Sequence, residues 1–435
     1  MIDIYVLNTD FQVVGVIDVF ESFIWTDRFN SYGDCELYTA FDPKLIQLCV
    51  QGYYFYINQS EHLMIIEGLE IESSAENGNK LRITGRSLES ILDRRIVWEQ
   101  TTIVADTPFQ DAVEKLISDA LLDPQPYTIK NNVKVRNANQ TAISNNRKMT
   151  NFVFERTDDS YIAGLSVEKV QYTGDNLYDI LTAMFEDVNN TVGYRIFLND
   201  EGQFVFKLYS GTDRSYSQEE YVLTNDKVMQ QDKTYYELIS GEYVVTQDVS
   251  FQKNKKYYEH RDIVPFVVFS NQFDNVINTN YLDSTEGMKN VTLVAGEGTG
   301  GARKTLIVGT DETSANAIKG LERRELYTDA RDLRQADYKG NNYNLALQTR
   351  GYNKLVENSR VTSYEGQVEA TRQYVFGKDF FMGDVIQMAN EYGIEGNARV
   401  IEWVISISSN GYEVYPTFDA VQLIDSSVSD EEDEE

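Results

Sequence analysis

The stretch GYYFYINQSEHLMIIEGLEIESSAENGNKLRITG, residues 52–85, decides the fold. An apolar run at 64–66 leads into apolar–polar alternation at 69–72, and alternation returns through 80–85, the pattern of strands with one buried face. Asn77-Gly78 between them is strong tight-turn chemistry. The chain is expected to fold back here as an antiparallel meander of strands 52–58, 64–72 and 80–85. A second stretch, GDVIQMANEYGIEGNARVIEWVISISSNGYEVYP at 383–416, has the same plan. Each begins with glycine and a strand, crosses a loop and reaches Ile-Glu in a second strand (Ile66-Glu67; Ile401-Glu402). Each then turns at Asn-Gly (Asn77-Gly78; Asn410-Gly411) into a third. Two unrelated meanders share such features readily, so the residues leave duplication and coincidence both open.

Working outward, 4–7 and 11–17 flank Asn8-Thr9-Asp10, which has hairpin chemistry. Segments 22–28 and 35–41 read as two further strands, and 87–92 as a short helix. A clear helix signal starts at Thr107: a threonine cap, Pro108 in the first position and Gln110 to complete a capping box. Phe109, Ala112, Val113, Leu116, Ile117, Ala120 and Leu121 then share one helical face. A second helix spans 176–188, and a hairpin of 194–198 with 204–208 turns at 199–202. Residues 100–209 thus read as an α+β insert with its own core. Segment 131–156 is polar and weakly periodic. Strand patterns return at 235–251 and 263–269. Segment 315–337 is charged and reads as partly helical, 342–357 as a helix, and 363–418 as β again.

The 435-residue chain has room for two to four domains, and its 29 Tyr and 21 Phe against 6 Pro suit a β-rich protein. Its net charge is −30, and the six terminal acids, 430–435, supply −6 of it. That tail reads as a solubilising, disordered run. A body this acidic lacks the clustered Lys and Arg that wrapping nucleic acid requires. The most basic run, Lys253, Lys255 and Lys256 beside Tyr257 and Tyr258, reads as a solvated strand end. Cys35 and Cys49 make neither a zinc set nor a disulfide framework. The N-terminus has no basic start and is interrupted by Asp3 and Asp10, unlike a secretory signal. No apolar run approaches the length of a membrane span.

The glycine-rich stretch NVTLVAGEGTGGARKTLIVG, 290–309, tests for phosphate chemistry. Gly296 and Gly301 have P-loop spacing, but Ala302-Arg303 stand where Lys-Thr is required, and Lys304-Thr305 come two residues late. A P-loop must also open a helix, whose amides hold the phosphate. Here β-branched residues follow, so the loop reads as a hairpin tip between two strands. His62 and His260 lie near no nucleophile motif and are expected to be exposed. With 69 acids, a carboxylate pair for glycoside hydrolysis can be drawn anywhere, which carries no information. No catalytic, cofactor-binding or metal residues are assigned.

Several stretches together resemble one family. Ser22-Phe23-Ile24-Trp25-Thr26-Asp27-Arg28 with Gly33-Asp34-Cys35-Glu36-Leu37, and Gly85-Arg86-Ser87-Leu88 continuing to Arg94-Arg95-Ile96-Val97-Trp98, are similar to siphophage tail-hub proteins. So are Lys289-Asn290-Val291 leading into Ala295-Gly296-Glu297-Gly298, then Leu321-Glu322-Arg323-Arg324-Glu325 and Asp329-Ala330-Arg331-Asp332-Leu333. Near the end come Gly383-Asp384-Val385, Ala398-Arg399-Val400 and Tyr415-Pro416-Thr417-Phe418. These tail-tip proteins are relatives of the baseplate hubs of contractile tails. Cys35 stands where an aromatic is commoner, and 131–166 fits the pattern poorly.

The resemblance implies an α+β, β-rich fold of two related β-barrel-like tube modules with α+β insert domains. The first module would be 1–99, completed by strands in 195–250, with an insert at 100–194. The second would combine 251–310 and 360–425 around a mixed helical insert at 311–359, before the acidic tail at 426–435. It also implies a homotrimer whose ring continues the tail tube at the distal end of the virion, assembled in the host cytoplasm. Partners would be a distal tail protein, the tape measure protein and receptor-binding or tail fibre proteins. DNA would pass through the channel without specific binding, past walls expected to be negative. No cofactor or enzymatic activity is expected, and the short stretch after Phe418 leaves no room for a lytic domain. The rivals are a tail-associated cell-wall hydrolase and a carbohydrate-binding adhesin.

Overall fold

The computed structural model describes residues 2–74, 78–125, 127–130, 133–136, 146–224, 226, 228–273, 275–338, 342–368, 373–389, 395–409 and 411–420. The acidic tail, most of 131–145 and both turn asparagines, Asn77 and Asn410, lie outside them.

The first half of one large sheet is β1 (Ile4–Leu7), β2 (Val13–Ile17), β3 (Ser22–Arg28), β4 (Asp34–Ala40), β5 (Tyr54–Tyr56), β6 (Met64–Ser74) and β7 (Gly78–Ser87). Alternation decides which way each strand faces. Phe23, Trp25, Leu37, Leu81 and Ile83 are completely buried on one face. Cross-strand neighbours on the other face are Ile24 with Glu36, and Tyr38 with Arg82. Between β4 and β5 runs α1 (Pro43–Leu48), which the hydrophobic pattern did not announce. Its signal was local: Asp42 caps it, accepting from the Lys44 amide at 2.9 Å, and Pro43 opens it. The short helix expected at 87–92 is a 3₁₀ turn, Leu88–Arg94.

The first insert contains α2 (Phe109–Ile117), β8 (Phe152–Glu155), α3 (Leu177–Asp187), β9 (Val192–Leu198) and β10 (Phe204–Ser210). Helix α2 begins two residues after the expected cap. Thr107 is held in a short strand opposite Val167, and its hydroxyl donates to the Val104 carbonyl at 2.7 Å. Gln110 bonds the Thr157 backbone instead of closing a capping box. Helix α3 is capped as expected, Asn176 accepting from Tyr178 at 2.8 Å. Strands β9 and β10 form the expected hairpin, but they pair with each other and with β8. Their Tyr194, Ile196, Phe206 and Leu208 share a core with both helices, so they belong with the insert and do not complete the first sheet.

Four strands then form a small separate sheet: β11 (Tyr221–Leu223), β12 (Tyr235–Ile239), β13 (Glu242–Val245) and β14 (Tyr258–His260), in the order β11-β14-β12-β13. The remainder is β15 (Val268–Ser270), β16 (Val276–Ser284), β17 (Val291–Ala295), β18 (Thr305–Val308), β19 (Glu325–Asp329), α4 (Asn342–Glu357), β20 (Val361–Val368), β21 (Val385–Ala389), β22 (Glu395–Ser408) and β23 (Gly411–Ala420). Helix α4 has the expected bounds. The expected helical character of 315–337 gives way to two 3₁₀ turns around β19, because that strand's backbone joins β17 in parallel. Strands β17, β18 and β19 form one sheet backed by α4, with Val294, Val308, Tyr343 and Leu347 buried between them. The expected boundary at 310 runs through this sheet.

The large sheet has the order β2-β1-β5-β6-β7-β4-β3-β22-β21-β15, with β23 also on β22. It is an open path, and the described residues close no barrel. A single core takes Trp25, Leu37, Phe55 and Ile83 from the first half and Phe269, Ile386, Trp403 and Ile405 from the second.

Strands β5-β6-β7 and β21-β22-β23 are the two meanders read in the sequence, and their backbones correspond closely. Gly52 donates to the Ile66 carbonyl at 2.8 Å, and Gly383 to Val400 at 2.8 Å. The two glycines share φ near +89° and +87°. A bulge follows, at Glu67 in β6 and Ile401 in β22. Beyond it, Gly68–Ser74 pair with Thr84–Gly78, as Glu402–Ser408 pair with Thr417–Gly411. Val400 therefore stands opposite Ile66 in this comparison. The Ile-Glu match of the sequences is one residue out of register.

Candidate functional site

The two halves meet where β3 pairs antiparallel with β22, from Glu402 opposite Arg28 to Ile407 opposite Phe23. Arg28 ties three strands. Its Nε donates to Glu402 at 2.6 Å, and its Nη1 to Asp34 at 2.5 Å and to the Tyr32 carbonyl at 3.0 Å. Trp403 is stacked on Phe376, centroids 4.0 Å apart. Phe29, just beyond β3, is fully buried. A Cβ placed on Gly193 or on Gly383 would come within 2.3 Å of its ring, so only glycine fits beside it at either site. Its amide donates to Ile401 at 2.9 Å and its carbonyl accepts from Tyr194 at 3.2 Å. One aromatic ring thus joins both halves and the first insert. Asp384, beside Gly383, accepts from the Thr212 amide at 2.7 Å, Arg214 Nε at 2.7 Å and the Phe381 amide at 2.9 Å. This buried charge is fully met, as burial demands.

Under β3 lies a second polar cluster. Asp27 accepts from Trp25 Nε1 at 2.9 Å and from the Ser60 hydroxyl at 2.7 Å. His62 Nδ1 lies 3.4 Å from Glu89 Oε1, which accepts from the Ile196 amide at 2.6 Å. His62 was expected to be exposed, but this carboxylate pair draws it inward, leaving 18% of its side chain accessible. Burial alone would lower its imidazole, yet Asp27 and Glu89 outweigh that and push it up to about 9. Burial pushes Asp27 above the usual carboxylate range against the pull of His62. Burial acts upward on Glu89 too, but His62, Ser87 and the Ile196 amide hold it below. The cluster has the groups of an acid–base site. Among the described residues it lines neither of the two best-formed clefts, and it joins β3, the Leu88–Arg94 turn and β9. Its contacts tie these elements together as a clasp.

The small sheet carries a repeat that the sequence reading missed. Glu220-Tyr221-Val222, Thr224, Asp226, Gln230, Lys233 and Tyr235-Tyr236-Glu237 recur 22 positions later as Glu242-Tyr243-Val244, Thr246, Asp248, Gln252, Lys255 and Tyr257-Tyr258-Glu259. The contacts recur too. Tyr235 donates to Asp226 at 2.6 Å, and Tyr257 to Asp248 at 2.6 Å. Lys233 bridges Asp226 (2.9 Å) and Glu259 (3.0 Å), and Lys255 bridges Asp248 (2.9 Å) and Glu237 (2.9 Å). Each lysine thus holds a carboxylate from each repeat. Tyr221 stacks on Tyr243 at 4.2 Å, on a pseudo-twofold axis. Lys255, taken from sequence as part of a solvated basic run, is committed to this clamp. His260 stays exposed beside Glu220, at 3.2 Å.

The glycine loop is the hairpin tip that its sequence implied. Ala295 pairs with Thr305, and Gly296 donates to Lys304 at 2.8 Å. Arg303 Nε bonds the Gly296 carbonyl at 2.8 Å, and the Glu297 amide donates to Tyr343 Oη at 2.8 Å. No helix follows to present amides to a phosphate. Cys35 and Cys49 are free and buried, and burial pushes both thiols up, Cys49 to about 12. One cleft of about 490 Å³ runs between Trp98 and Asp119, and a shallower one of about 360 Å³ crosses the open face of β17–β19. Among the described residues no three His, Cys, Asp or Glu gather to hold an ion, and no helix is long and apolar enough to cross a membrane.

A family model described as Siphovirus ReqiPepy6 Gp37-like protein matches residues 3–418. No curated protein matches the sequence. Among solved structures, a tail protein from Neisseria meningitidis MC58 is similar over 96% of both chains, with 13% identity and a TM-score of 0.51. The 43 kDa tail protein of prophage MuSo2 from Shewanella oneidensis is similar over 97% of both, with 11% identity and a TM-score of 0.50. The prophage tail protein gp18 from Listeria monocytogenes EGD-e covers 96% of this chain and 94% of its own, with 13% identity and a TM-score of 0.48. The first two share the fold over nearly the whole chain.

Proposed function

The chain belongs to the Siphovirus ReqiPepy6 Gp37-like family of siphovirus tail proteins, and from that premise we propose that it is the structural hub of the tail tip. It forms a homotrimeric ring that continues the tail tube. It stands at the distal end of the virion, assembles in the host cytoplasm, and anchors distal tail and receptor-binding components. One observation carries the reading. The same glycine corner, bulge and hairpin occur twice on one continuous sheet, so each chain supplies two like segments to a ring.

The polar face of that sheet suits a passage for DNA. Arg82 is bound to Glu36 at 2.6 Å, Arg86 to Glu67 at 2.6 Å and Arg28 to Glu402 at 2.6 Å, and Lys80 is paired with Glu21. These cations are already neutralised, leaving little to hold a phosphate backbone. The protein's work is assembly and passage, and it is not an enzyme.

The test is the mass of the purified chain in solution, with negative-stain imaging. Three times the chain mass and ring-shaped particles with a central hole are expected. A stable dimer closing over one of the clefts would sink the hub reading. Release of fragments from purified cell walls would favour the hydrolase, and glycan binding by the lone chain the adhesin.

A further inference from the structure

The correspondence between the meanders extends to what should stand beside them. In the second, residues 402–407 of β22 are covered on the side away from β23 by β3. The equivalent stretch of β6 is 68–73. Among the described residues it has no strand on the side away from β7, because β5 reaches only Met64 and Ile65. The apolar side chains register the difference. Trp403 and Ile405 are 7% and 0% exposed, whereas Ile71, the counterpart of Ile405, is 48% exposed on the core side of the sheet. Leu69, the counterpart of Trp403, is half-buried. An unpaired edge carrying an uncovered isoleucine is a template for another strand.

The chain also carries an unused strand of the matching kind. As β3 pairs with β4 ahead of the first meander, β16 pairs antiparallel with β20 ahead of the second. Strand β20 runs beside β23 as β4 runs beside β7. Strand β3 spends its other edge on β22. Among the described residues β16 pairs with β20 alone. We propose that β16 of one copy adds antiparallel to residues 68–73 of β6 in the next, repeating between chains the junction that β3 and β22 make within one. The occupant of this edge is a second copy of the chain. The inference rests on the ring reading and names its seam.

The test pairs a charge with a cross-link. Ile71→Asp is expected to raise the concentration for half-assembly by about tenfold or more, since burying an unpaired charge at an interface is costly. At concentrations below assembly its circular dichroism and Tm should match the parent's, because Ile71 is half-exposed in the single chain. Of two oxidised double variants, Ile71→Cys with Leu282→Cys and Ile71→Cys with Asp283→Cys, one should form covalent multimers, because neighbouring residues of β16 face opposite sides and only one can meet residue 71. Native Cys35 and Cys49 are buried and do not compete. A ring whose mass is untouched by Ile71→Asp, with no cross-link from either cysteine pair, overturns the seam and leaves the ring standing. A parent chain that stays monomeric up to millimolar concentration overturns both.

Discussion

The two halves of the large sheet share a backbone and differ in their surroundings. At the first corner, Gly52 opens onto empty space; at the second, Gly383 lies against Phe29. Along the second strand, Ile71 is uncovered and Ile405 is sealed. The shared geometry comes from backbone devices, namely a left-handed glycine, a bulge and a tight turn. The differences arise wherever a neighbour has arrived. Equivalent positions in one chain thus report which contacts are already made and which are still open.

The sharpest way to break this comparison is one substitution made twice. Ile405→Asp buries a carboxylate in the shared core and should cost about 4 kcal/mol or more, leaving little folded protein. Ile71→Asp should shift the urea midpoint of the single chain by the equivalent of about 0.5 kcal/mol or less. Equal effects would mean that the two strands are not counterparts. Next come the corners. Gly383→Ala meets both a disfavoured φ and the Phe29 ring, and should cost roughly 3 kcal/mol. Gly52→Ala meets the φ penalty alone, about 1–2 kcal/mol. Denaturant melts of the two variants would measure the difference.

A smaller effect separates the halves by pH. The clasp of Asp27, His62 and Glu89 lies under the first. The His62 imidazole is raised above its unfolded value, so its stabilisation is complete below about pH 6.5 and is lost as pH climbs through about 9. Thermal melts from pH 6 to 10 should fall in the parent and flatten in His62→Gln. An unchanged slope would remove the histidine from the account. The smallest effect belongs to the small sheet. Lys233→Met and Lys255→Met should lower Tm by small, equal amounts that added salt reduces, because both clamps are exposed and identically built. Unequal shifts would show that the pseudo-twofold does not extend to energetics.

The two internal repeats also explain what could be read from the sequence. The meander was legible from alternation and Asn-Gly turns, but only to within a residue, because a bulge occupies a position without dictating its side chain. Glu67 and Ile401 have nothing else in common. The small-sheet repeat was the more legible of the two, since its identities are the side chains that bond one another. A search for alternation passed over it because Thr, Asp, Gln and Lys have no hydrophobic period. The helix start at Thr107 failed because a strand claimed the threonine first. The Phe29 junction and the His62 clasp could not be read at all. Their members are far apart in the chain, and no local pattern marks a histidine that two distant carboxylates will draw inward.

The small sheet has one further property. Strand β11 of the first repeat pairs with β14 of the second, and β13 of the second pairs with β12 of the first. The two repeats are therefore clasped like the fingers of two hands. Their turn at Ser240-Gly241 is the exposed link between them. Were the chain cut at that turn, each piece would still be paired with the other through both sets of strands.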